Sequence, residues 1–255
     1  MRKTVSVLLT LLLLFCIASG ATEPFPAGSP EQALADKLHE EYNVWVLFGE
    51  KAYDWAQFFS DSYSIQPAEE SVNLLKVMLS TSYTLDALEV LESELPRYPK
   101  GFFSQFSKSL VINLVGPLHD LRSDEDVSGF CGNCGNTVEI CLDVYKMDAR
   151  TVHHEIWHAI EYWSQANYNV WDSLLPEGFE YTGSGLDSTG FDPEWFYREY
   201  SVKSEKEDRA TVFEAYFLES PEWWEDHPHI KKKFALMRLL LDAGFGWVIQ
   251  MEQLS

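Results

Sequence analysis

A pair of histidines separated by one helical turn is the feature of this sequence with the clearest chemical meaning. His154 and His158 enclose Glu155 in the segment His-Glu-Ile-Trp-His. In a helix both imidazoles lie on one face and can bind the same metal ion. Glu155 is offset by one position, so its carboxylate can hold a water molecule beside the metal and accept its proton during attack on a carbonyl. The spacing predicts a zinc site that hydrolyses peptide bonds, and the alternative is a solvated helix face.

A catalytic zinc site usually has three protein ligands and one open position, so a third ligand is needed. His153 faces another direction and is predicted to support the site or lie at the surface. The metzincin spacing requires Gly and His three and six residues after the second histidine, and Glu161 and Ser164 in these positions exclude that class. The remaining carboxylates are Glu177 and Glu180, in a loop, and Glu207 and Asp208, at the start of a later helix.

One of these carboxylates belongs to a recognisable segment. Glu207-x-x-Ala210-x-x-Phe213 resembles the Glu-x-x-Ala-Glu-x-Phe helix of the anthrax-lethal-factor-like peptidases, a group that includes Pro-Pro endopeptidases and related bacterial zinc metallopeptidases. The resemblance covers roughly residues 136–219 and rests on short motifs. It implies a gluzincin-type peptidase with one zinc ion held by the two histidines and Glu207. It also implies that Tyr200, seven residues before Glu207, stabilises the oxyanion.

The helix departs from the family pattern at one position. Thr211 stands where the family has its second Glu, a residue that supports a zinc-binding histidine. In this chain Asp208 or Glu214 is predicted to take that role. Glu207 also has a structural interpretation, because Ser204-x-x-Glu207 has the form of a capping box.

Two other assignments that follow from the resemblance have a structural alternative. In zincin folds an edge strand crosses the cleft and pairs with the extended substrate, and residues 136–144 occupy the matching place in chain order. A plain core strand is the alternative. The segment 196–200 is rich in aromatic residues, so Tyr200 could equally be part of the core.

The metal-binding helix needs other elements to position it. Asp148 is well placed to cap a helix that runs to about Gln165. Helices around a small mixed sheet, without regular βαβ alternation, predict the α+β class, and the resemblance makes this zincin-like, with an edge strand over the cleft. The motif helix has a predicted core stripe of Val152, Ile156, Ala159 and Trp163. Elsewhere the patterns predict a helix that begins at Pro30 and helices over residues 72–79, 85–95, 205–219 and 229–242, the last ended by Gly244. Strands are predicted over residues 43–48, 109–115 and 138–144, the last of them half-buried. Loops are predicted over residues 118–135 and 167–193.

The N-terminus has the layout of a cleaved signal peptide. Arg2 and Lys3 precede an apolar run over residues 5–17, which small residues follow, and the run is short for a membrane span. We therefore expect a signal peptide over residues 1–21, a secreted protein, and one zincin-like catalytic domain over 22–255. Within that domain, residues 22–83 either form a helical N-terminal subdomain or pack onto a catalytic core of residues 84–255.

Composition and charge limit the classes of function. The hydrophobic fraction of 46% and the aromatic fraction of 15% exclude an intrinsically disordered chain. The formal net charge of −21 becomes −23 when Arg2 and Lys3 are removed. Such a surface repels nucleic acid and anionic lipid, and it favours neutral or basic peptides as substrates. The rival functions are a non-catalytic zinc-containing exported binding protein, a factor that acts through its acidic surface, and a zinc hydrolase of non-peptide amides.

Three cysteines remain after the predicted cleavage, namely Cys131, Cys134 and Cys141. An odd number in an exported chain leaves at least one thiol without an internal partner. Either one disulfide forms within this cluster or all three cysteines are reduced. A second zinc site is disfavoured because no fourth ligand has suitable spacing.

Overall fold

The computed structural model describes residues 28–49, 51–53, 65–67, 83–121, 124–164, 170–183 and 188–245. The signal peptide predicted over residues 1–21 and the helix predicted over 72–79 lie outside the described residues, and the domain boundaries stay a prediction. Among the described helices, none has the length and apolar character needed to cross a membrane. The helices are α1 (Pro30–Tyr42), α2 (Tyr83–Glu94), α3 (Ala149–Trp163), α4 (Glu205–Leu218), α5 (Pro221–Asp226) and α6 (Pro228–Phe245). The strands are β1 (Val44–Leu47), β2 (Ile65–Pro67), β3 (Ser109–Val115), β4 (Leu118–Asp120), β5 (Glu125–Val127), β6 (Gly129–Cys134) and β7 (Thr137–Asp143).

A mixed sheet of order β1-β3-β7-β6 forms the centre of the fold. Strands β1, β3 and β7 are parallel, and β6 runs antiparallel to β7. A second, antiparallel sheet has the order β2-β4-β5. Helices and a small mixed sheet together confirm the predicted α+β class.

The loop predicted over residues 118–135 is wrong, because β4, β5 and β6 lie within it. Its Asp, Ser, Gly and Asn residues are typical of loops, but backbone pairing with neighbouring strands stabilises extended structure here. Strands β6 and β7 form a hairpin in which Cys134 is paired with Thr137. Gly135 has a φ of 58°, as the two-residue turn between them requires.

Strand β7 lies inside the sheet and not at its edge. It pairs with β3 on one side and β6 on the other, so the edge position predicted for residues 136–144 is wrong. The outer strand on this side of the described sheet is β6. The half-buried pattern predicted for this strand is also wrong, because Glu139, Cys141 and Asp143 are as buried as the apolar residues between them.

The cysteines are free thiols, in agreement with the reduced alternative. Cys131 packs in the main core, whereas Cys134 and Cys141 contact a smaller cluster on the other side of the sheet. Cys141 pairs with Phe130, which lies four residues from Cys134 along β6. Four residues of strand span about 13 Å, too far for a disulfide bond.

Helix α3 packs against β6 and β7 and carries the histidine pair. Asp148 caps its first turn, as predicted, and accepts a hydrogen bond from the Thr151 amide at 2.9 Å. The predicted core stripe is confirmed at its first three positions, whereas Trp163 is partly buried and stacks on Phe106 with ring centroids 3.8 Å apart. The helix ends at Trp163, shortly before the predicted end.

Helix α4 packs along α3 and against α6. Ser204 caps its first turn through the amide of Glu207. The bounds of α4 agree closely with the predicted helix, and α6 continues through Gly244 to Phe245. The two packed helices α3 and α4 bring the histidine pair and the downstream carboxylate together.

Candidate metal centre

Three predicted ligands converge between α3 and α4. The Nε2 atom of His154 lies 3.1 Å from Nε2 of His158 and 2.9 Å from Oε2 of Glu207. The distance from His158 Nε2 to the same Glu207 oxygen is 3.4 Å. The described residues contain this one group of three side chains that could hold a metal ion.

The spacing of these atoms fits a tetrahedral metal site. Ligands bound to zinc at about 2.0–2.1 Å in tetrahedral geometry lie about 3.3 Å from one another. The three observed separations are close to that value. Among the described residues, Glu207 Oε2 is a buried atom without a hydrogen-bond partner of suitable geometry. A buried carboxylate oxygen directed at two imidazole nitrogens is typical of a site that a cation completes.

The three candidate ligands have strongly perturbed pKa values. Burial alone would lower the pKa of His154, but hydrogen bonds to Glu207 and Glu214 outweigh it and raise this pKa to about 9. Burial also opposes protonation of His158, whose pKa rises well above its usual value because Glu207 and Glu161 are close. The pKa of Glu207 falls well below its usual value despite burial, since both histidines stabilise its charge. The surroundings therefore favour positive charge between the ligands.

Each histidine also has a carboxylate behind its Nδ1 atom. Glu214 Oε1 lies 2.6 Å from His154 Nδ1, and its carboxylate is fully buried. Glu161 Oε2 is 3.9 Å from His158 Nδ1. A carboxylate at Nδ1 favours a proton on that nitrogen, which leaves Nε2 free to bind a metal.

Arg198 fixes the position of Glu214. Its Nε donates to Glu214 Oε2 at 3.0 Å, and its Nη2 donates to Oε1 at 2.6 Å. Such a two-pronged contact holds a carboxylate in a defined orientation. The sequence analysis missed Arg198, and no spacing rule in the chain singles it out.

The other two residues considered for this supporting role have different partners. Asp208 is fully buried and accepts hydrogen bonds from Lys233, Trp171 and Tyr181. The Thr211 hydroxyl is hydrogen-bonded to Ser201 at 2.7 Å. Of the two residues proposed to replace the missing family Glu, the structure places Glu214 and not Asp208 against a candidate ligand.

The capping box predicted at Glu207 forms only in part, because the Glu207 carboxylate lies at the histidines and not at the Ser204 amide. The backbone amide of Glu207 donates to Ser204 Oγ at 3.3 Å, whereas its carboxylate is directed at the histidines. The alternative carboxylates Glu177 and Glu180 are exposed in their loop and do not belong to the metal-binding group.

Glu155 lies beside the ligands and against the outer strand. It is 5% exposed, and burial raises the pKa of its carboxyl group, against the opposing effect of His154 and His158. A Cβ atom at Gly129 would lie 2.8 Å from both Cγ and Oε1 of Glu155. The first residue of β6 must therefore be glycine if Glu155 is to keep its position. The sequence analysis missed this role, because it depends on contact between distant segments.

Tyr200 approaches the site from the 3-10 turn Glu199–Val202. Its ring meets that of His154 edge-on, with centroids 5.6 Å apart. Burial, followed by the charges of Glu207 and Glu155, raises the pKa of its hydroxyl group, so the hydroxyl stays protonated and can donate. The fully buried aromatic residue of this segment is Phe196, whereas Tyr200 is half-buried at the site.

His153 is neither a ligand nor a surface residue. It is fully buried, stacks on Phe217 with centroids 3.7 Å apart, and is hydrogen-bonded to Tyr98 at 2.8 Å and Glu94 at 2.9 Å. Burial lowers its pKa to about 4. The surface alternative is wrong because its face of α3 packs into the core.

No protein-family model matches the chain, and no curated protein matches it. A solved structure named "putative zinc-binding metallo-peptidase", from Bacteroides caccae, is similar over 87% of this chain and 89% of its own, with 16% identity and a TM-score of 0.49. A likeness of this degree does not define the chemistry of the present chain, so the assignment of the site rests on its geometry.

Replacing Gly129 with alanine tests the contact between β6 and Glu155. For the peptide hydrolysis that the histidine motif predicts, we expect a fall of about 10- to 100-fold with no loss of metal binding, because the added methyl group displaces Glu155 and leaves the candidate ligands in place. Peptide hydrolysis and metal content of the purified variant measure the two effects. Asn136→Ala is the control, since Asn136 is exposed in the turn after β6 and outside that strand. Full activity in Gly129→Ala would show that Glu155 does not need this position.

Proposed function

We propose that the chain is an exported zinc-dependent endopeptidase. His154, His158 and Glu207 hold one zinc ion, Glu155 is the general base, and Tyr200 stabilises the oxyanion. The observation that carries the proposal is the convergence of three ligand atoms at 2.9–3.4 Å, with a buried carboxylate beside them.

The chemistry that zinc supplies in such a site is a lowered pKa of a water ligand and polarisation of the substrate carbonyl. Glu155 accepts the proton of the attacking water and passes it to the leaving amine. Its burial raises its pKa toward the range in which a carboxylate both takes and returns a proton. The protonated Tyr200 hydroxyl donates to the oxygen that becomes negative. Glu214 holds His154 with Nε2 toward the ligand group, and Arg198 holds Glu214.

We assign the substrate backbone to the outer edge of β6. This strand has β7 on one side and begins at Gly129, where it contacts Glu155. An extended peptide added to this edge would present a carbonyl close to the general base, and backbone pairing gives affinity that tolerates different sequences. The substrate is accordingly a peptide or an extended protein segment, not nucleic acid or lipid.

Export is supported by the charged and apolar segments at the N-terminus. If it is correct, N-terminal sequencing of the protein recovered outside the cell will begin near residues 20–22.

The direct test of the proposal measures zinc content and cleavage of a random peptide pool together. We expect about one zinc ion per chain and cleavage that a chelator abolishes and added zinc restores. Glu207→Ala should lose most of its zinc and its activity, because two histidines alone bind the ion weakly. The exposed carboxylate Glu177 provides a matched control, and Glu177→Ala should keep both. Full zinc occupancy in Glu207→Ala would contradict the third-ligand assignment, and zinc binding without any cleavage would contradict the peptidase.

A further inference from the structure

Two basic side chains, those of Arg198 and Lys203, lie against the ring of Tyr200, although the whole chain is strongly acidic. The formal net charge is −21, with 19 basic residues against 40 acidic ones. Three of those basic residues, Arg150, Arg198 and Lys203, nevertheless lie around the ring of Tyr200 or the carboxylate of Glu214. Interactions between exposed charges are screened over about 8 Å at physiological ionic strength, so these neighbours affect a bound substrate more than distant acidic residues do.

Lys203 is the basic residue of this group that is best placed to contact a ligand. Its Nζ lies 4.2 Å from the centroid of the Tyr200 ring, and the side chain is half-buried. Its backbone is fixed on both sides, because its amide donates to Tyr200 at 3.2 Å and its carbonyl accepts from Gly183 at 2.9 Å. These bonds fix the start of the side chain, and the ammonium group lies against the ring that itself contacts His154.

Arg198 and Arg150 extend the positive region. The Arg198 guanidinium is 4.8 Å from the Tyr200 ring centroid and uses Nε and Nη2 for Glu214, which leaves Nη1 on its other edge. Its side chain is 32% exposed. Arg150 Nε lies 3.8 Å from Glu214, and half of its side chain is exposed. The buried carboxylate of Glu214 thus faces two guanidinium groups, whereas the carboxylates of Glu207 and Glu155, on the histidine side of the Tyr200 ring, belong to the proposed metal site.

We propose that Lys203, assisted by Arg198 and Arg150, forms a subsite for a carboxylate group of the substrate. The inference rests on the proposed peptidase function and names the chemistry that this site selects. A residue of an extended peptide spans about 3.3–3.6 Å, so the subsite lies opposite one of the first few residues from the scissile bond. The carboxylate belongs either to an Asp or Glu side chain or to the free C-terminus of the peptide.

This local preference is opposite to the one that the net charge favours. An acidic surface attracts basic peptides from solution, but the subsite acts only after the peptide has entered the cleft. The charged residues beside the scissile bond therefore decide which peptides are cleaved.

The test begins with cleavage of a random peptide pool by the zinc-loaded protein. The best sequence is then made in three forms: with an acidic residue near the scissile bond and an amidated C-terminus, with the corresponding amide residue and a free C-terminus, and with neither carboxylate. We expect the kcat/KM of one of the first two forms to exceed that of the third about tenfold, mainly through a lower KM. One charge-assisted hydrogen bond contributes a difference of about this size. The form that gains identifies the source of the carboxylate.

Two substitutions at position 203 attribute the preference to the subsite. Lys203→Met keeps the length of the side chain and should abolish the preference, and Lys203→Glu should reverse it. Lys231→Met is the matched control, because Lys231 pairs with Glu225 on the surface and should leave the preference unchanged.

Binding of the same three peptides to zinc-loaded Glu155→Gln protein, measured by fluorescence anisotropy, gives a result that does not depend on turnover. Equal affinity for all three peptides, or a preference that Lys203→Met retains in full, would overturn the subsite. If the pool is not cleaved, the three forms are made from the peptide of the pool that the zinc-loaded protein binds most tightly. Carboxylate-dependent binding that Lys203→Met abolishes would then overturn the peptidase and leave the subsite standing.

Discussion

Replacing Glu155 with glutamine is expected to lower kcat/KM about 10²- to 10⁴-fold and to leave the zinc content unchanged. Glutamine keeps the shape of the side chain and its packing against Gly129, but it cannot accept a proton. The loss is the size that removal of a general base causes. Zinc content is unaffected because the proposed ligand atoms belong to His154, His158 and Glu207, which the substitution leaves in place.

The measurement compares zinc content and peptide hydrolysis of the variant and the wild type. Glu89→Gln is a suitable control. Glu89 is exposed on α2, and its substitution is the same chemical change at a position away from the site. If Glu155→Gln keeps more than about a tenth of the activity, another group is the base, because loss of a true general base costs at least about 10²-fold.

The second large effect is expected on stability, from replacement of Lys233 by methionine. Lys233 Nζ on α6 donates to the Asp208 carboxylate at 2.7 Å and 3.0 Å and to the Trp195 carbonyl at 2.9 Å. Both charged groups are fully buried. Removing one partner leaves Asp208 charged without its cation, and we expect the free energy of unfolding to fall by about 3–5 kcal/mol.

Urea unfolding of the metal-free proteins measures this loss. Lys231→Met is the control on the same helix, because its exposed pair with Glu225 is worth at most about 1 kcal/mol. Adding Asp208→Asn to Lys233→Met should restore part of the stability, since the buried charge is then removed. A loss below about 1 kcal/mol in Lys233→Met would mean that Asp208 is neutral or solvated in the folded protein.

The histidine pair could be predicted from sequence because its geometry is local. Four residues along a helix place His154 and His158 on one face whatever the rest of the chain does. The cap at Asp148 and the core stripe are local in the same sense. Glu207 could be predicted as a ligand only through the resemblance. The 48 residues between His158 and Glu207 contain no local pattern that shows which downstream carboxylate lies near the histidines.

The contacts that the sequence analysis missed join segments far apart in the chain. Strand β6 contains two glycines and two cysteines and lacks an alternating pattern, so only its pairing with β7 shows that it is a strand. Gly129 matters because Glu155 packs against it, and Arg198 matters because it binds Glu214. The two residues of each pair are not neighbours in sequence. The edge position is predicted for residues 136–144 from their place in chain order before the histidine helix, and chain order does not show that β6 pairs outside β7.

The resembled family has its second Glu at the position of Thr211. In this chain Glu214, three residues later, contacts His154. At about 100° per residue, positions 207, 211 and 214 share one face of α4, so a carboxylate one turn further along can meet the same imidazole. A search pattern that demands Glu directly after Ala210 would therefore discard this chain. A pattern that accepts Glu at position 211 or 214 and requires Arg nine residues before Glu207 is based on the contacts within the site. Such a pattern would retrieve similar sequences.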